Sequence, residues 1–178
     1  MTVVSNTTPL NSLILIKAAH VLPALFGRVY APPVVVQEPA HPRSPEPVRL
    51  WAESFPEWLT VQEPSQIDPT LKLGPGEAAA ITLAEELNAD WVLLDERRGS
   101  RKAEGRGLRV AGTLAIIEEA GARNLLDYEE TRNRLVGETS FYATEDVLRE
   151  SDQRLQARKL DQKPSEPDGR DEGCATGE

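Results

Sequence analysis

The chain has few of the residues from which disulfides and zinc sites are built. Its 178 residues contain one cysteine, Cys174, and two histidines, His20 and His41. A single cysteine allows no disulfide within the chain, which favours a reducing compartment. The two histidines have neither the spacing nor the companion ligands of a zinc site. A disulfide-stabilised fold and a zinc centre are therefore excluded.

Long apolar runs are also absent from the sequence. The longest ones, such as residues 13–16, are far too short to cross a bilayer. The N-terminus has neither the basic segment nor the apolar segment of a signal peptide. We therefore expect a cytoplasmic protein without membrane contact. A serine-hydrolase turn of the Gly-x-Ser-x-Gly type and a complete phosphate-binding P-loop are missing as well.

Positive charge is scarce except in one stretch. The net charge is −9, so the surface as a whole repels nucleic acid. Residues 95–109 are the exception, because they carry three acidic residues against six basic ones: Arg97, Arg98, Arg101, Lys102, Arg106 and Arg109. Such a patch suits a bound polyanion, and guanidinium groups match the geometry of phosphates. A solvated helix face is the alternative interpretation.

Apolar runs of strand length alternate with helical patterns along the chain. Strands are predicted at residues 3–5, 28–31, 58–61, 91–94 and 108–111. A first helix is predicted to begin with Thr8 as its N-cap and Pro9 as its first residue. Further helices are predicted at residues 21–26, 34–38, 48–54, 75–87, 97–104, 113–120, 127–136 and 144–160. This order predicts an α/β domain over residues 1–160 with a central parallel sheet between helices, and the polar residues 161–178 predict a disordered tail.

Carboxylate and amide side chains follow the predicted strands at the points where these strands end. Asn6 follows the first strand and Asp95 the fourth, while Glu77 lies in the first turn of the helix at residues 75–87. Residues beyond the carboxyl ends of parallel strands line the ligand crevice of such sheets. Hard oxygen ligands without histidine or cysteine suit Mg²⁺ or Mn²⁺. The residues therefore predict a metal site formed by Asn6, Glu77 and Asp95.

Each of these residues also has a purely structural interpretation. Asn6 suits an Asx turn between strand and helix, and Glu77 is favourable against the helix macrodipole. Asp95 suits the N-cap of the basic helix. Glu38, a further candidate, is equally typical of a solvated helix face. The functional interpretation rests on the placement of all four residues at one end of the predicted sheet.

Five motifs together resemble one protein family. They are Val-Val-Ser-Asn-Thr-Thr-Pro-Leu at residues 3–10, Pro32-x-x-Val35-x-x-Glu38, Leu-Gly-x-Gly-Glu-Ala-x-x-Ile ending at Ile81, Leu-Leu-Asp-Glu at residues 93–96, and Gly-Leu-x-Val-x-Gly-Thr-Leu at residues 107–114. In this order and spacing the motifs are similar to those of PIN-domain proteins, and the resemblance covers about residues 3–148. The resemblance is closest to the bacterial and archaeal branch related to the toxins of toxin–antitoxin pairs.

The resemblance implies a three-layer α/β/α fold and an endoribonuclease that depends on Mg²⁺ or Mn²⁺. By position, the four acidic sites of the family fall on Asn6, Glu38, Glu77 and Asp95, of which the three carboxylates are the predicted catalytic residues. The predicted RNA-binding residues are Thr7, Thr8, Arg97, Arg98 and Arg101. An antitoxin partner and a homodimer are implied too. Asn6 replaces the usual aspartate, so a binding module that has lost catalysis is the alternative hypothesis.

Overall fold

The computed structural model describes residues 1–161, in which five short strands form one parallel sheet. The strands are β1 (Thr2–Ser5), β2 (Arg28–Ala31), β3 (Leu59–Val61), β4 (Trp91–Leu93) and β5 (Val110–Ala111). Their spatial order is β3-β2-β1-β4-β5, and all four neighbouring pairs are parallel. The central strand β1 is therefore covered by neighbours on both edges, and its end lies between the ends of β2 and β4.

Helices cover both faces of this sheet. They are α1 (Thr7–Leu15), α2 (Val21–Phe26), α3 (Pro33–Gln37), α4 (Glu46–Glu53), α5 (Pro75–Glu86), α6 (Arg97–Glu104), α7 (Thr113–Ala122), α8 (Tyr128–Glu138) and α9 (Glu145–Asp161). In the described part of the chain no helix combines the length and the apolar character that a membrane crossing requires.

Successive strand residues point to opposite faces and enter two separate apolar cores. Val3 packs into the core formed with α1, α2 and α7, whereas Val4 packs into the core formed with α5. In β4, Leu93 belongs to the first core and Val92 to the second. A sheet that is buried on both faces requires the uninterrupted apolar strands seen in the sequence. The predicted three-layer α/β/α fold with a parallel sheet is confirmed.

The first helix begins earlier than the sequence predicts. Thr8 was expected to be its N-cap, but α1 begins at Thr7 and the N-cap is Asn6, whose backbone is extended at φ −84° and ψ 171°. That prediction is wrong because Pro9 occupies the third helical position, where its missing N–H still requires no intrahelical partner. Of the predicted disordered tail, residues 161–178, Asp161 is instead the last residue of α9, and the rest lies outside the described residues.

An ion cluster holds the segment between β3 and α5. The Arg106 guanidinium donates to Glu85 Oε2 at 3.0 Å and also to the Asp68 carboxylate. Asp68 Oδ1 accepts a bond of 2.7 Å from the Thr70 backbone N–H. The same segment buries Leu71 completely in the second core. Arg106 belongs to the basic stretch of the sequence. Its side chain links the loop before α5 to the end of α6.

The helix α9 is bound to α7 by hydrogen bonds to a buried carboxylate. Glu118 is only 2 % exposed and accepts hydrogen bonds from Ser151 and Arg154 of α9. The Tyr128 hydroxyl of α8 lies 2.7 Å from the Ser151 hydroxyl and completes the network. Since a buried carboxylate needs such donors, the polar pattern of α9 is explained by its packing against α7 and α8.

The ion cluster predicts a specific dependence of stability on pH. Hydrogen bonds from Thr70 and Arg106 lower the pKa of Asp68 from 3.8 to about 2. Its stabilising contribution is therefore fully present above pH 3.8 and is lost as the pH falls through about 2. We expect Asp68→Asn to lower the free energy of unfolding at neutral pH and to have little effect near pH 2, as measured by urea denaturation. A difference between the two proteins that does not vary with pH would contradict this assignment.

Candidate functional site

Three side-chain oxygens surround Gly76 at the start of α5. A Cβ atom added to Gly76 would lie 2.9 Å from Asn6 Oδ1, 3.4 Å from Glu38 Oε1 and 3.5 Å from Thr7 Oγ1. These residues come from the end of β1, the end of α3 and the first turn of α1. The parallel sheet therefore brings side chains from distant parts of the sequence to one point, and a side chain at position 76 would displace Asn6 Oδ1.

Asn6 is buried at this point and does not cap the helix that follows it. It is 4 % exposed, and its backbone N–H donates to Leu93 O at 3.0 Å, which links β1 to the end of β4. Its side chain makes no capping hydrogen bond to α1. The interpretation of Asn6 as a simple Asx turn is therefore wrong, because that turn requires the amide oxygen to accept a bond from the helix backbone.

The neighbouring threonines differ in environment. Thr7 is buried, and its Oγ1 atom has no hydrogen-bond partner within residues 1–161. Thr8 is half-buried one residue further along α1 and supplies none of the three atoms nearest to the Gly76 position. Glu38, at the C-terminal end of α3, is exposed. Its carboxylate is nevertheless held close to Asn6 and Thr7 by the geometry around Gly76.

Glu77 has one satisfied and one unsatisfied carboxylate oxygen. Its Oε2 atom accepts a bond of 3.3 Å from the Gly74 backbone N–H at the start of α5. Its Oε1 atom is buried without a partner in the described residues and faces Gly99 of α6 so closely that any Cβ there would overlap it. Burial, and next to it the negative charge of Glu96, raise the pKa of Glu77 above its usual 4.5. A role in capping α5 accounts for one oxygen only.

Asp95 is fixed by the start of a different helix from the one expected. Its Oδ1 and Oδ2 atoms accept bonds of 2.7 Å each from the backbone N–H and the hydroxyl of Thr113, the first residue of α7. Oδ1 also lies 3.1 Å from the point that a Cβ on Gly112 would occupy. The N-cap of α6 is Glu96. The interpretation of Asp95 as the cap of the basic helix is therefore wrong, although its structural bond to α7 is real.

Sequence analysis missed two residues of this region, Glu96 and Thr113. Burial is the main factor that raises the pKa of Asp95, the bonds from Thr113 oppose it, and the charge of Glu96 adds to it. Because Glu96 raises the pKa of both Asp95 and Glu77, its carboxylate links the two sites electrostatically. The adjacent Asp-Glu pair at the end of β4 was the available signal for Glu96. The sequence shows no local signal that Thr113 would bind Asp95.

The helix α6 presents its basic residues to solvent beside Glu77. Its exposed side chains line one depression in the surface: Arg97, Arg98, Arg101 and Lys102. Within residues 1–161 these four form no ion pair. The positive charge of Arg98 acts against the burial that raises the pKa of Glu77. Arg109 lies apart from this group, with its guanidinium carbon 3.9 Å from the ring centre of Trp91.

The acidic residues do not form a closed metal cage. Within residues 1–161, no three Asp, Glu, His or Cys side chains lie close enough together to hold a metal ion. The donors that are present nevertheless have the right chemistry, since carboxylate, amide and hydroxyl oxygens suit Mg²⁺ and Mn²⁺. The buried Glu77 Oε1, which lacks a partner, is the atom that best fits a cation. The roles of Asn6, Glu77 and Asp95 as ligands stay predictions.

Comparison with known families agrees with the fold. A family model described as DUF3368, PIN domain, matches residues 2–157. Searches of curated proteins and of solved structures find no significant match. The family model spans most of the chain, from β1 into α9. The chain therefore belongs to this family of PIN domains.

Proposed function

We propose that this protein is an endoribonuclease that uses Mg²⁺ or Mn²⁺ to hydrolyse RNA phosphodiesters, leaving a 5′-phosphate and a 3′-hydroxyl. The observation that carries the proposal is the buried, partnerless Oε1 of Glu77 beside the free basic face of α6. A desolvated carboxylate without a donor is costly, and a cation would compensate it. Exposed guanidinium groups next to it provide the binding surface that an RNA backbone requires.

The chain supplies the ligands from three places. Glu77 and Asp95 would contribute charged oxygens and Asn6 a neutral carbonyl oxygen. When bound, the divalent ion activates the attacking water and neutralises charge on the phosphate oxygens. Thr113 holds Asp95 in place through two bonds of 2.7 Å, and Asn6 is held by the β1–β4 junction. The carboxylate oxygens of Asp95 keep free lone pairs for a further contact.

The remaining predicted residues would act on the substrate. Glu38 is exposed to solvent while its Oε1 lies near Asn6, which suits a group that orients the attacking water or accepts its proton. Arg97, Arg98 and Arg101 would bind phosphate oxygens. The hydroxyls of Thr7 and Thr8 would donate hydrogen bonds to the RNA next to Asn6.

The proposed biological role follows the family resemblance. We infer that the protein is the toxin of a toxin–antitoxin pair, acts in the cytoplasm, and forms a homodimer that a cognate antitoxin inhibits. The support is the order of its motifs and the match over residues 2–157.

A second candidate function is an RNA- or protein-binding module that has kept the fold and lost catalysis. Two observations favour it, namely the amide at position 6 and the scarcity of carboxylates close to one another. A neutral ligand gives a lower metal affinity than a charged one, because affinity depends on the number of charged ligands.

Replacement of the carboxylates separates the two functions. We expect Glu77→Gln and Asp95→Asn to lower Mn²⁺-dependent cleavage of labelled RNA at least about a hundredfold, because each removes a ligand charge and keeps the shape. Glu104→Gln is the matched control, since Glu104 is an exposed carboxylate on the outer part of α6. Cleavage that persists in both site variants would contradict the proposal. Tight RNA binding without cleavage by the wild type would support the binding module.

A charged residue at position 6 is the opposite test. We expect Asn6→Asp to tighten Mn²⁺ binding about tenfold and to raise the cleavage rate, because the change adds a ligand charge. Titration calorimetry with Mn²⁺ and single-turnover cleavage measure the two effects. Asn133→Asp, on the exposed face of α8, adds the same charge away from the site. Equal Mn²⁺ affinities of Asn6→Asp and of this control would show that position 6 does not contact the ion.

The close approach of α6 to Glu77 predicts the effect of one methyl group. We expect Gly99→Ala to abolish cleavage and to stabilise the fold less than the same change at another helical glycine, because the new Cβ would force the Glu77 carboxylate to move. Gly137→Ala is the control, since no atom lies within 4 Å of a Cβ at that helical position. The control should raise stability by up to about 1 kcal/mol and leave cleavage unchanged. Thermal melting and the RNA assay are run on both variants. If Gly99→Ala and Gly137→Ala gave the same stability and the same cleavage, the close approach of α6 to Glu77 would be disproved.

A further inference from the structure

An open groove adjoins the candidate site on the side away from α6. It has a volume of about 660 Å³ and lies between α1 and the segment that connects α3 to α4. The residues that matter here are Thr7, Asn11, Gln37, Glu38, His41 and Arg43. Thr7 and Glu38 also surround Gly76, so the groove is continuous with the candidate site.

The α1 wall of the groove carries two polar atoms that have no partner. Thr7 Oγ1 and Asn11 Oδ1 are both buried and form no hydrogen bond within residues 1–161. The two residues are four positions apart on one helix and therefore lie on the same face. Buried polar groups are normally satisfied, and unsatisfied ones call for an explanation. A polar ligand in this groove would supply the missing partners once the Thr7 and Asn11 side chains rotate toward it.

The opposite wall is a short loop with a defined geometry. The Arg43 backbone N–H donates to His41 Nδ1 at 3.1 Å, so a neutral His41 ring carries its proton on Nε2. The Ser44 hydroxyl donates to the Glu38 carbonyl oxygen at 3.0 Å and closes the loop onto α3. Arg43 is exposed and forms no ion pair with any residue of the described range. The loop therefore presents an exposed cation to the groove that Asn11 also lines.

The order of the strands places positive charge on both sides of the acidic residues. Going across the sheet from β2 to β1 to β4, the groove with Arg43 comes first, Asn6 lies in the middle, and Asp95 with α6 comes last. Among the described residues, Glu38 is the one carboxylate that lines the groove, and its Oε1 lies at the end near Asn6. A single nucleic-acid strand that binds the guanidinium groups of α6 would cross the carboxylates and enter this groove.

We propose that the groove is a base-recognition subsite for single-stranded RNA, an inference that rests on the proposed function. Asn11 contacts the base of the nucleotide next to the scissile phosphate, and Arg43 contacts the backbone of that nucleotide. A side-chain amide pairs one donor and one acceptor, which matches the N6 and N7 atoms of adenine. Bases in single strands expose these edges freely. Asn11 is thus assigned as the residue that determines base preference.

Binding in EDTA tests this assignment without cleavage. Fluorescence anisotropy is measured with labelled oligoadenylate and oligocytidylate of about ten nucleotides, which suits one groove. The wild type should bind oligoadenylate about tenfold more tightly than oligocytidylate. Asn11→Asp should reverse this ratio, since a carboxylate accepts from cytosine N4. Asn11→Ala should bring the ratio close to one, and Asn133→Asp should leave it unchanged.

Arg43→Ala tests the backbone contact. It should weaken the binding of both oligonucleotides equally. It should also reduce the slope of log affinity against log salt concentration by about one. Arg28→Ala is the matched control, because Arg28 is an exposed arginine at the start of β2, at the opposite end of the sheet. The control should retain the slope of the wild type.

Two results would overturn the subsite. The first is that Asn11→Asp and Asn11→Ala keep the wild-type ratio of the two affinities. The second is that Arg43→Ala keeps the wild-type dependence of affinity on salt. Circular dichroism verifies that each variant is folded. Cleavage in Mn²⁺, assayed in parallel, separates this inference from the proposed function. Base-selective binding without any cleavage would uphold the subsite and contradict the nuclease, whereas cleavage with unchanged binding ratios would contradict the subsite alone.

Discussion

The candidate site depends on the absence of side chains at three positions. Gly76, Gly99 and Gly112 each leave the space that one of the candidate ligands occupies: Asn6 Oδ1 at Gly76, Glu77 Oε1 at Gly99 and Asp95 Oδ1 at Gly112. None of the three has a positive φ, so conformational freedom does not explain them. The three glycines are explained by the close approach of their backbone to these side-chain oxygens. The site is therefore shaped by helix packing as much as by the ligands themselves.

Close packing also explains the electrostatics of the region. Glu77 and Asp95 lose water on burial, which raises the pKa of both, and Glu96 adds repulsion. The chain as a whole has a net charge of −9, so its average field does not attract an anion. Within residues 1–161, the exposed cations of α6 and Arg43 offset that field locally around the candidate site. The candidate acidic ligands and the exposed basic residues thus lie on different elements that meet at the carboxyl end of the sheet.

Local patterns in the sequence predicted the fold well. They predicted poorly which residues form hydrogen bonds with the site residues. The strands were predictable because both faces are buried: Val3 and Val4 fill different cores, so the run is apolar throughout. The bond from Thr113 to Asp95 spans 18 positions and has no local signature. Similarly, nothing near Arg106 shows that Asp68 and Glu85 engage it. The basic stretch of six residues is therefore reduced to four that stay on the open surface of α6.

The packing of α9 has a consequence at the opposite end of α7. Thr113, the first residue of α7, donates hydrogen bonds to Asp95. Glu118, further along the same helix, accepts hydrogen bonds from Ser151 and Arg154 of α9. The helix α7 therefore connects α9 to Asp95, one of the candidate ligands. A truncation that removes residues 145–161 would leave every proposed site residue in the chain, yet it would loosen the support on which the position of Asp95 depends.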